Sequence, residues 1–423
     1  MRSRTEPIDP AGLDLAPWLY AGDRVLVAQA SGEPATLVAA ARALAETRPL
    51  TFIVGMLITR GYAPAPAPAR FESYGRLGRA AALPDDRTRV LRQPYSAWTA
   101  ALSNGGHRAD VVMVQLSPAD ALGRHHLGMG DLVMIDAARR ARLVLAEINP
   151  DTPRTPGTLW PADLPIHLKV AAAAAPPAPA DQPAGETERA IAAHVAAEVP
   201  EAAVLQFGIG RLPRAIAEAL SGHRDLGLHS GVISDEVARL ITCGALTGAR
   251  KEFDAGRAVA STVIGGAGLR GLLDGPAPAE VQSTARTHAA AVIAGLARFT
   301  AINSAVEIDL AGRVNLELAA GREIGGLGGQ PDFTRGALAA PGGRAIVALP
   351  ATTGDGRSRI VARVARESLG PGAADRAVTQ HGVAHLRGQP PAERARRLIA
   401  IAAPEHREAL ARAWHDHERA AHV

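Results

Sequence analysis

The run Asp110-Val111-Val112-Met113-Val114-Gln115-Leu116 decides the fold class. A strand with one wet face alternates apolar and polar residues, whereas a strand covered on both faces reads as a nearly unbroken apolar run. Three more runs of this kind share the first half of the chain: Arg24-Val25-Leu26-Val27-Ala28, Leu50-Thr51-Phe52-Ile53-Val54 and Ala141-Arg142-Leu143-Val144-Leu145-Ala146-Glu147-Ile148. Between them lie Ala- and Leu-rich stretches of helical character, the first from about Ala35 to Thr47 after Gly32-Glu33-Pro34. Buried strands alternating with helices predict a parallel sheet with helices on both faces.

The second half repeats the pattern. Ala203-Val204-Leu205-Gln206-Phe207, Ala258 to Val263, Thr300 to Ser304, Val306 to Leu310 and Arg344 to Leu349 read as strands. Pro213 to Leu220 reads as a helix, and the tail from Pro391 to His417, rich in Arg, Glu and Ala, as another. Between the halves, Ala171 to Gly185 reads AAAAAPPAPADQPAG, with four prolines and no core-forming side chain. Such a segment is a semi-rigid linker. The expected organisation is an N-terminal α/β domain over 1–175, a linker over 176–186 and a C-terminal α/β domain over 187–423. Both are open α/β domains with largely parallel sheets, with an active-site cleft expected between them.

Composition excludes several classes. Of 423 residues, 47% are hydrophobic, enough for true cores, while aromatics are only 3%, so those cores are built from Ala, Val, Leu and Ile. The chain carries 46 Lys+Arg against 42 Asp+Glu, and its only lysines are Lys169 and Lys251. The pI near 9.7 thus reflects arginine usage on a small surplus. The arginines are scattered and sit near acids, as in Glu188-Arg189 and Arg366-Glu367, which argues against a nucleic-acid partner. The N-terminal MRSRTEPIDPAG lacks an apolar signal core and no run of 18 apolar residues occurs, so no membrane association and a cytoplasmic location are expected.

Three glycine-rich loops are candidates for chemistry. Gly208-Ile209-Gly210 follows a strand and precedes a helix, where backbone N–H groups can meet a phosphate; a tight turn would read the same way. Pro213 stands where the third glycine of a dinucleotide fingerprint would fall. Gly325-Gly326-Leu327-Gly328-Gly329-Gln330-Pro331-Asp332-Phe333 places four glycines in five residues, a costly composition that suits donors aimed at a developing oxyanion. Asp332-Phe333 looks like its anchor. Gly265-Gly266-Ala267-Gly268 receives no role. No metal site emerges: the histidines are dispersed, and the adjacent His125 and His126 read as loop residues. The single cysteine, Cys243, reads as a small buried packing residue rather than a nucleophile.

The ordered series Gln206-Phe207-Gly208-Ile209-Gly210, Leu226-Gly227-Leu228-His229-Ser230, Ile302 to Asn315, Gly325 to Phe333 and His381 to Gly388 resembles the acetyl-CoA hydrolase/transferase family, which includes the 4-hydroxybutyrate CoA-transferases. Gly22-Asp23-Arg24-Val25, Gly32-Glu33-Pro34, Val114 to Pro118 and Ala146 to Asn149 agree with that family's N-terminal domain. The resemblance implies an acyl-CoA substrate, no permanently bound cofactor, a small-molecule acceptor and a homodimer. It implies CoA contacts from Gly208, Gly210, Asn303, Gly329, Gln330, Arg359, Gly382 and Arg387, and an oxyanion loop made by Gly325, Gly326 and Gly328.

One departure changes the expected chemistry. The family's nucleophilic glutamate stands in a segment like His-Thr-Glu-x-x-x-Asp, and this chain reads His229-Ser230-Gly231-Val232-Ile233-Ser234-Asp235. Gly231 has no side chain with which to attack a thioester. A second carboxylate of the pattern has become Gln380, and the family's Asn-x-Pro segment reads Arg286-Thr287-His288-Ala289. The expectation is hydrolysis or direct acyl transfer without a glutamyl-CoA intermediate, with His288 or Glu236 as candidate base. Conventional CoA transfer with a carboxylate from elsewhere, and a non-catalytic CoA-binding protein, remain as alternatives.

Overall fold

The computed structural model describes residues 6–180 and 182–421. The first five residues of the N-terminal stretch read for a leader, Asp181 of the expected linker, and the last two residues lie outside that description. The chain forms two compact units: Met1–Ala180 with Gly231–Ala238 and Ala258–His288, and Asp181–Ser230 with Arg239–Arg257 and Ala289–Val423.

The first unit is built on a seven-stranded sheet. Its strands are β1 (Arg24–Val27), β2 (Thr51–Val54), β3 (Arg70–Ser73), β4 (Thr88–Val90), β5 (Val111–Leu116), β6 (Leu143–Ile148) and β7 (Leu168–Ala171), in the order β4-β3-β2-β1-β5-β6-β7. Every pairing in it is parallel. The apolar runs explain why. Val25, Phe52, Val111, Met113 and Leu145 enter one core, and their strand neighbours Leu26, Ile53, Val112, Val114 and Val144 enter the core on the opposite face. Successive side chains point to opposite faces, so burial on both requires unbroken apolarity. The helix after β1 spans Ala35–Leu44 and gives way to turns before Thr47. From β1 the chain winds first to β2 and later to β5, which makes the β1/β5 boundary a switch point, the usual place for a ligand crevice.

The first unit also holds the end of β9 (Gly227–Ser234), with β10 (Ala258–Ile264) and β11 (Ala279–Val281) parallel to each other. The second unit carries β8 (Val204–Phe207) between the start of β9 and β12 (Phe299–Asn303), all parallel. Beyond β12 lie Arg344–Ala348 and Arg376–Thr379, also parallel, and an antiparallel closing strand, Gly382–His385. Here β8/β12 is the switch point. The helix after Gly208-Ile209-Gly210 begins at Arg211, two residues ahead of Pro213. A proline so early in a helix gives up an N–H that has no intrahelical partner anyway.

Cys243 corrects the sequence expectation: it is exposed, not buried. It sits past the last turn of the helix Asp235–Thr242, where Gly244 at φ 79° turns the chain away. No helix among the described residues is long and apolar enough to cross a membrane.

Candidate functional site

In the first unit, loops at the C-terminal ends of β1, β9 and β10 are hydrogen-bonded to one another beyond the end of the strand that carries Gly231. Gly231 lies in β9, half-buried, and its carbonyl accepts a hydrogen bond from the Ser261 hydroxyl of β10 at 2.9 Å. Asp235, just past β9, accepts the Gly266 N–H with both carboxylate oxygens, at 3.1 and 3.0 Å. Gly265 donates its N–H to Ser31 Oγ at 3.2 Å. A Cβ on Gly265 would stand 2.6 Å from the Leu269 side chain and 2.9 Å from that of Asp235, so any larger residue must displace one of them. Gly265-Gly266, the start of the Gly265–Gly268 stretch left without a role by sequence reading, therefore ties the β1 loop to the segment beside Gly231. Ser31 itself sits in a tight turn in which Ala30 takes a left-handed conformation at φ 53°. Gly32 packs against Gly130, leaving a Cβ only 3.1 Å from the Gly130 Cα.

Behind this junction runs a buried polar chain. Tyr74 donates to Gln29 Oε1 at 2.7 Å, Gln29 Nε2 donates to the Tyr95 hydroxyl at 2.7 Å, and Tyr95 donates to Asp131 Oδ2 at 2.9 Å. Thr284 donates to the same carboxylate oxygen at 3.1 Å and the Val133 N–H to the other at 2.9 Å. Burial pushes the Asp131 carboxyl up to about 6 despite these donors. His288 is buried rather than at the surface, its ring centroid 5.5 Å from that of Tyr95 and its Nδ1 3.0 Å from the Thr287 hydroxyl. Glu236 lies on the helix that begins at Asp235 and is half-buried.

Glu33, from the Gly32-Glu33-Pro34 motif, is fully buried. Its Oε1 accepts from the Thr59 hydroxyl, and Oε2 has no hydrogen-bond partner among the described residues. Burial lifts this carboxyl from 4.5 to about 7; the Thr59 bond opposes the rise and the neighbouring Glu147 adds to it. Glu147 accepts the N–H groups of Thr36 and Leu37 at the start of the Ala35–Leu44 helix. Neither Glu33 nor Asp131 was given a role by sequence reading. The signal for Glu33 was its place between glycine and proline after a buried strand, in a motif that matches the family's N-terminal domain.

In the second unit, Gly208 and Asn303 come together at the β8/β12 switch point. They line a cavity of about 110 Å³ whose walls include Phe207, Leu212, Ile216 and Ile302. Gly210 takes φ 115° just before the helix at Arg211, which requires glycine. The glycine-rich loop leads into the helix Gln330–Ala339. Gly325 packs so closely on Leu316 that a Cβ would stand 2.2 Å from its carbonyl oxygen, and Gly328 is left-handed at φ 51°. Gly329 supplies the carbonyl accepting the Asp332 and Phe333 N–H groups, both at 3.1 Å. Asp332 and Phe333 are buried, Phe333 stacking on Phe299 with centroids 6.4 Å apart. Gly326 and Gln330 lie half-buried in the same segment.

The remaining named residues of this unit are tied into its framework. Gln380 Oε1 accepts the Ala351 N–H at 2.9 Å, and Arg359 donates its own N–H to the Ala351 carbonyl. The Arg359 guanidinium is held below its usual pKa by burial, with Glu307 acting against that effect. Arg387 is exposed and donates to the carbonyls of Leu338 and Gly343. Gly382 is left-handed at φ 132°, opening the closing hairpin strand. No group of three or more His, Cys, Asp or Glu residues suited to a metal occurs among the described residues. His125, read as a loop residue, is buried, with Nδ1 2.7 Å from the Ser117 carbonyl and Nε2 3.0 Å from the Lys169 ammonium.

Two largely parallel sheets, with Gly208 and Asn303 at the β8/β12 switch point, make an open α/β architecture of the kind CoA-transferases share. Residues 267–414 match the acetyl-CoA hydrolase/transferase C-terminal domain. The 4-hydroxybutyrate coenzyme A transferase of Clostridium kluyveri is 36% identical over 310 residues, 71% of this chain and 71% of that protein. The succinyl-CoA:acetate/propanoyl-CoA:succinate CoA transferase of Fasciola hepatica is 34% identical over 73% of this chain and 66% of its own. Among solved structures, RipA from Yersinia pestis superposes with a TM-score of 0.88 at 26% identity over 95% of each chain. The 4-hydroxybutyrate CoA-transferase of Porphyromonas gingivalis gives 0.78 at 27% identity, over 95% of this chain and 96% of its own. The chain belongs to the acetyl-CoA hydrolase/transferase family, and is thereby an enzyme of the acyl-CoA hydrolase or transferase class.

Proposed function

We propose that this enzyme consumes acyl-CoA thioesters without a glutamyl-CoA intermediate, by hydrolysis or by direct acyl transfer to a small acceptor. The observation that carries the reading is Gly231. Gly231 lies in β9, where Ser261 fixes its backbone, and the sequence resemblance puts the family's nucleophilic glutamate at this residue. With no carboxylate at that position, the attacking atom comes from water or from the acceptor. In hydrolysis, the water oxygen adds to the thioester carbonyl while a base takes its proton; the C–S bond then breaks, and the CoA thiolate leaves and is protonated. His288, packed on Tyr95, is the base in this reading. The Gly325, Gly326 and Gly328 segment supplies N–H donors to the developing oxyanion. Gly208, Gly210, Asn303, Gly329, Gln330, Arg359, Gly382 and Arg387 contact the CoA thioester.

A second reading is favoured by the relatives, which are named CoA transferases. In it, CoA passes between carboxylates through a carboxylate other than one at position 231. Incubation with butyryl-CoA followed by borohydride separates the two, since borohydride reduces a glutamyl-CoA thioester in place. Thioester consumption with no reduced glutamate is expected. A glutamate converted to its alcohol, with CoA released, overturns the proposal in favour of transfer.

A further inference from the structure

Gln206 and Asn303 form a closed amide pair at the ends of neighbouring parallel strands. Gln206 Nε2 donates to Asn303 Oδ1 at 3.1 Å, and Asn303 Nδ2 donates back to Gln206 Oε1 at 2.9 Å. The β8/β12 register sets Gln206 opposite Ala301 and Phe207 opposite Ile302, so the pair is the diagonal contact spanning the last rung, where the strands run out into loops. Gln206 is buried at 5% exposure, whereas Asn303 is half-buried and lines the cavity at the switch point with Gly208 and Ser304. Gln206 does not line that cavity.

A carboxamide has two N–H donors and one acceptor oxygen. Within the pair, Asn303 commits one N–H and one lone pair to Gln206 and retains a second N–H. That second N–H lies on the far side of the amide nitrogen and points away from Gln206. Turning the Asn303 amide alone would set oxygen against oxygen and N–H against N–H, replacing two attractive contacts with two repulsive ones. A lone half-exposed asparagine has no such restraint.

We propose that Gln206 is a positioning residue of the thioester site: its reciprocal pairing locks the Asn303 carboxamide so that one N–H stands ready for a ligand acceptor at the cavity mouth. The proposal rests on the reading above that Asn303 contacts the acyl-CoA. It explains why a polar side chain is buried at the end of an otherwise apolar strand, Val204-Leu205-Gln206-Phe207. Burying an amide is unfavourable unless its hydrogen bonds are met, and here one partner meets two of them.

The test is a double-mutant cycle on the full-length enzyme, measuring thioester consumption from acetyl-, butyryl- and succinyl-CoA. Gln206→Met keeps the side-chain length and removes the pairing. Gln206→Met and Asn303→Ala should each lower kcat/KM about tenfold, and the double variant should fall no more than about twofold below Asn303→Ala. Gln206→Glu still accepts the Asn303 N–H but returns no donor to Oδ1, so it should lie between wild type and Gln206→Met. A melting temperature taken without ligand reports any loss of packing separately. Multiplying effects in the double variant, or a Gln206→Met enzyme with wild-type kcat/KM, would overturn the proposal. An Asn303→Ala enzyme equal to wild type would overturn the reading of Asn303 itself, and the proposal with it.

Discussion

The Ser261 hydroxyl donates to the Gly231 carbonyl at 2.9 Å, so the residue that lacks a side chain is held by its backbone. Ser261 is fully buried on β10. Removing its hydroxyl leaves the Gly231 carbonyl without this donor. Ser261→Ala should cost about 1 kcal/mol of stability, read from the denaturant midpoint. It should also lower kcat more than it changes KM, if the β9 backbone must be fixed for the thioester to be attacked.

Gly265, in the loop after β10, and Gly268, in the helix Ala267–Leu273 that follows it, stand three residues apart and should respond oppositely to the same change. A Cβ on Gly265 meets Leu269 at 2.6 Å and Asp235 at 2.9 Å, while one on Gly268 meets nothing within 4 Å. Gly265→Ala should destabilise by about 1–3 kcal/mol through overpacking and should lower activity. Gly268→Ala, inside the helix Ala267–Leu273, should be neutral or stabilising by roughly 0.5–1 kcal/mol. Equal melting temperatures for the two variants would contradict the packing seen around Gly265.

Glu33 sets a pH dependence. Its carboxyl rises from 4.5 to about 7 in the folded chain, chiefly because it is buried. A group that binds its proton more tightly when folded contributes stability fully present below pH 4.5 and lost as pH climbs through about 7. A rise of that size is worth on the order of 3 kcal/mol. Unfolding midpoints from pH 4.5 to 8 should therefore fall more steeply for wild type than for Glu33→Gln, which cannot ionise. Parallel curves would show that Glu33 ionises as freely as it does in the unfolded chain.

His288→Gln should lower kcat for thioester consumption by about 10²–10⁴-fold if His288 is the base. The melting temperature should move little, because Gln can still meet the Thr287 hydroxyl. A loss of stability matching the loss of activity would make His288 a packing residue against Tyr95 instead.

Gly231→Glu should convert the enzyme toward CoA transfer. The expected signature is the introduced glutamate reduced to its alcohol by borohydride in the variant, and no such change in wild type. A variant that folds and binds CoA yet shows no reduction would show that the surrounding residues no longer serve a glutamate nucleophile.

Much of the fold could be read directly. Val111 to Leu116 is apolar at nearly every position because both its faces are covered, and that requirement is local. The glycine-rich loop and its Asp332-Phe333 anchor were legible for the same reason, since glycine density and a following buried pair show in the order of residues. Cys243 was not, because its exposure depends on where the preceding helix stops. Nor was the role of Gly265-Gly266, whose partners Ser31 and Asp235 lie 234 and 31 residues away.

The chain's order of residues by itself determined two parallel-sheet cores, the loops at their strand ends, the family pattern and the glycine at position 231. Each of these follows from periodicity or from the identity of single residues. Only the tertiary structure decided that Gly231–Ala238 and Ala258–His288 fold with the first unit, that Asp131 gathers Tyr95 and Thr284, and that Gln206 pairs with Asn303. The hydrogen bonds among these join strand ends, helix starts and loops remote in sequence, groups that come within reach of each other only once the chain is folded.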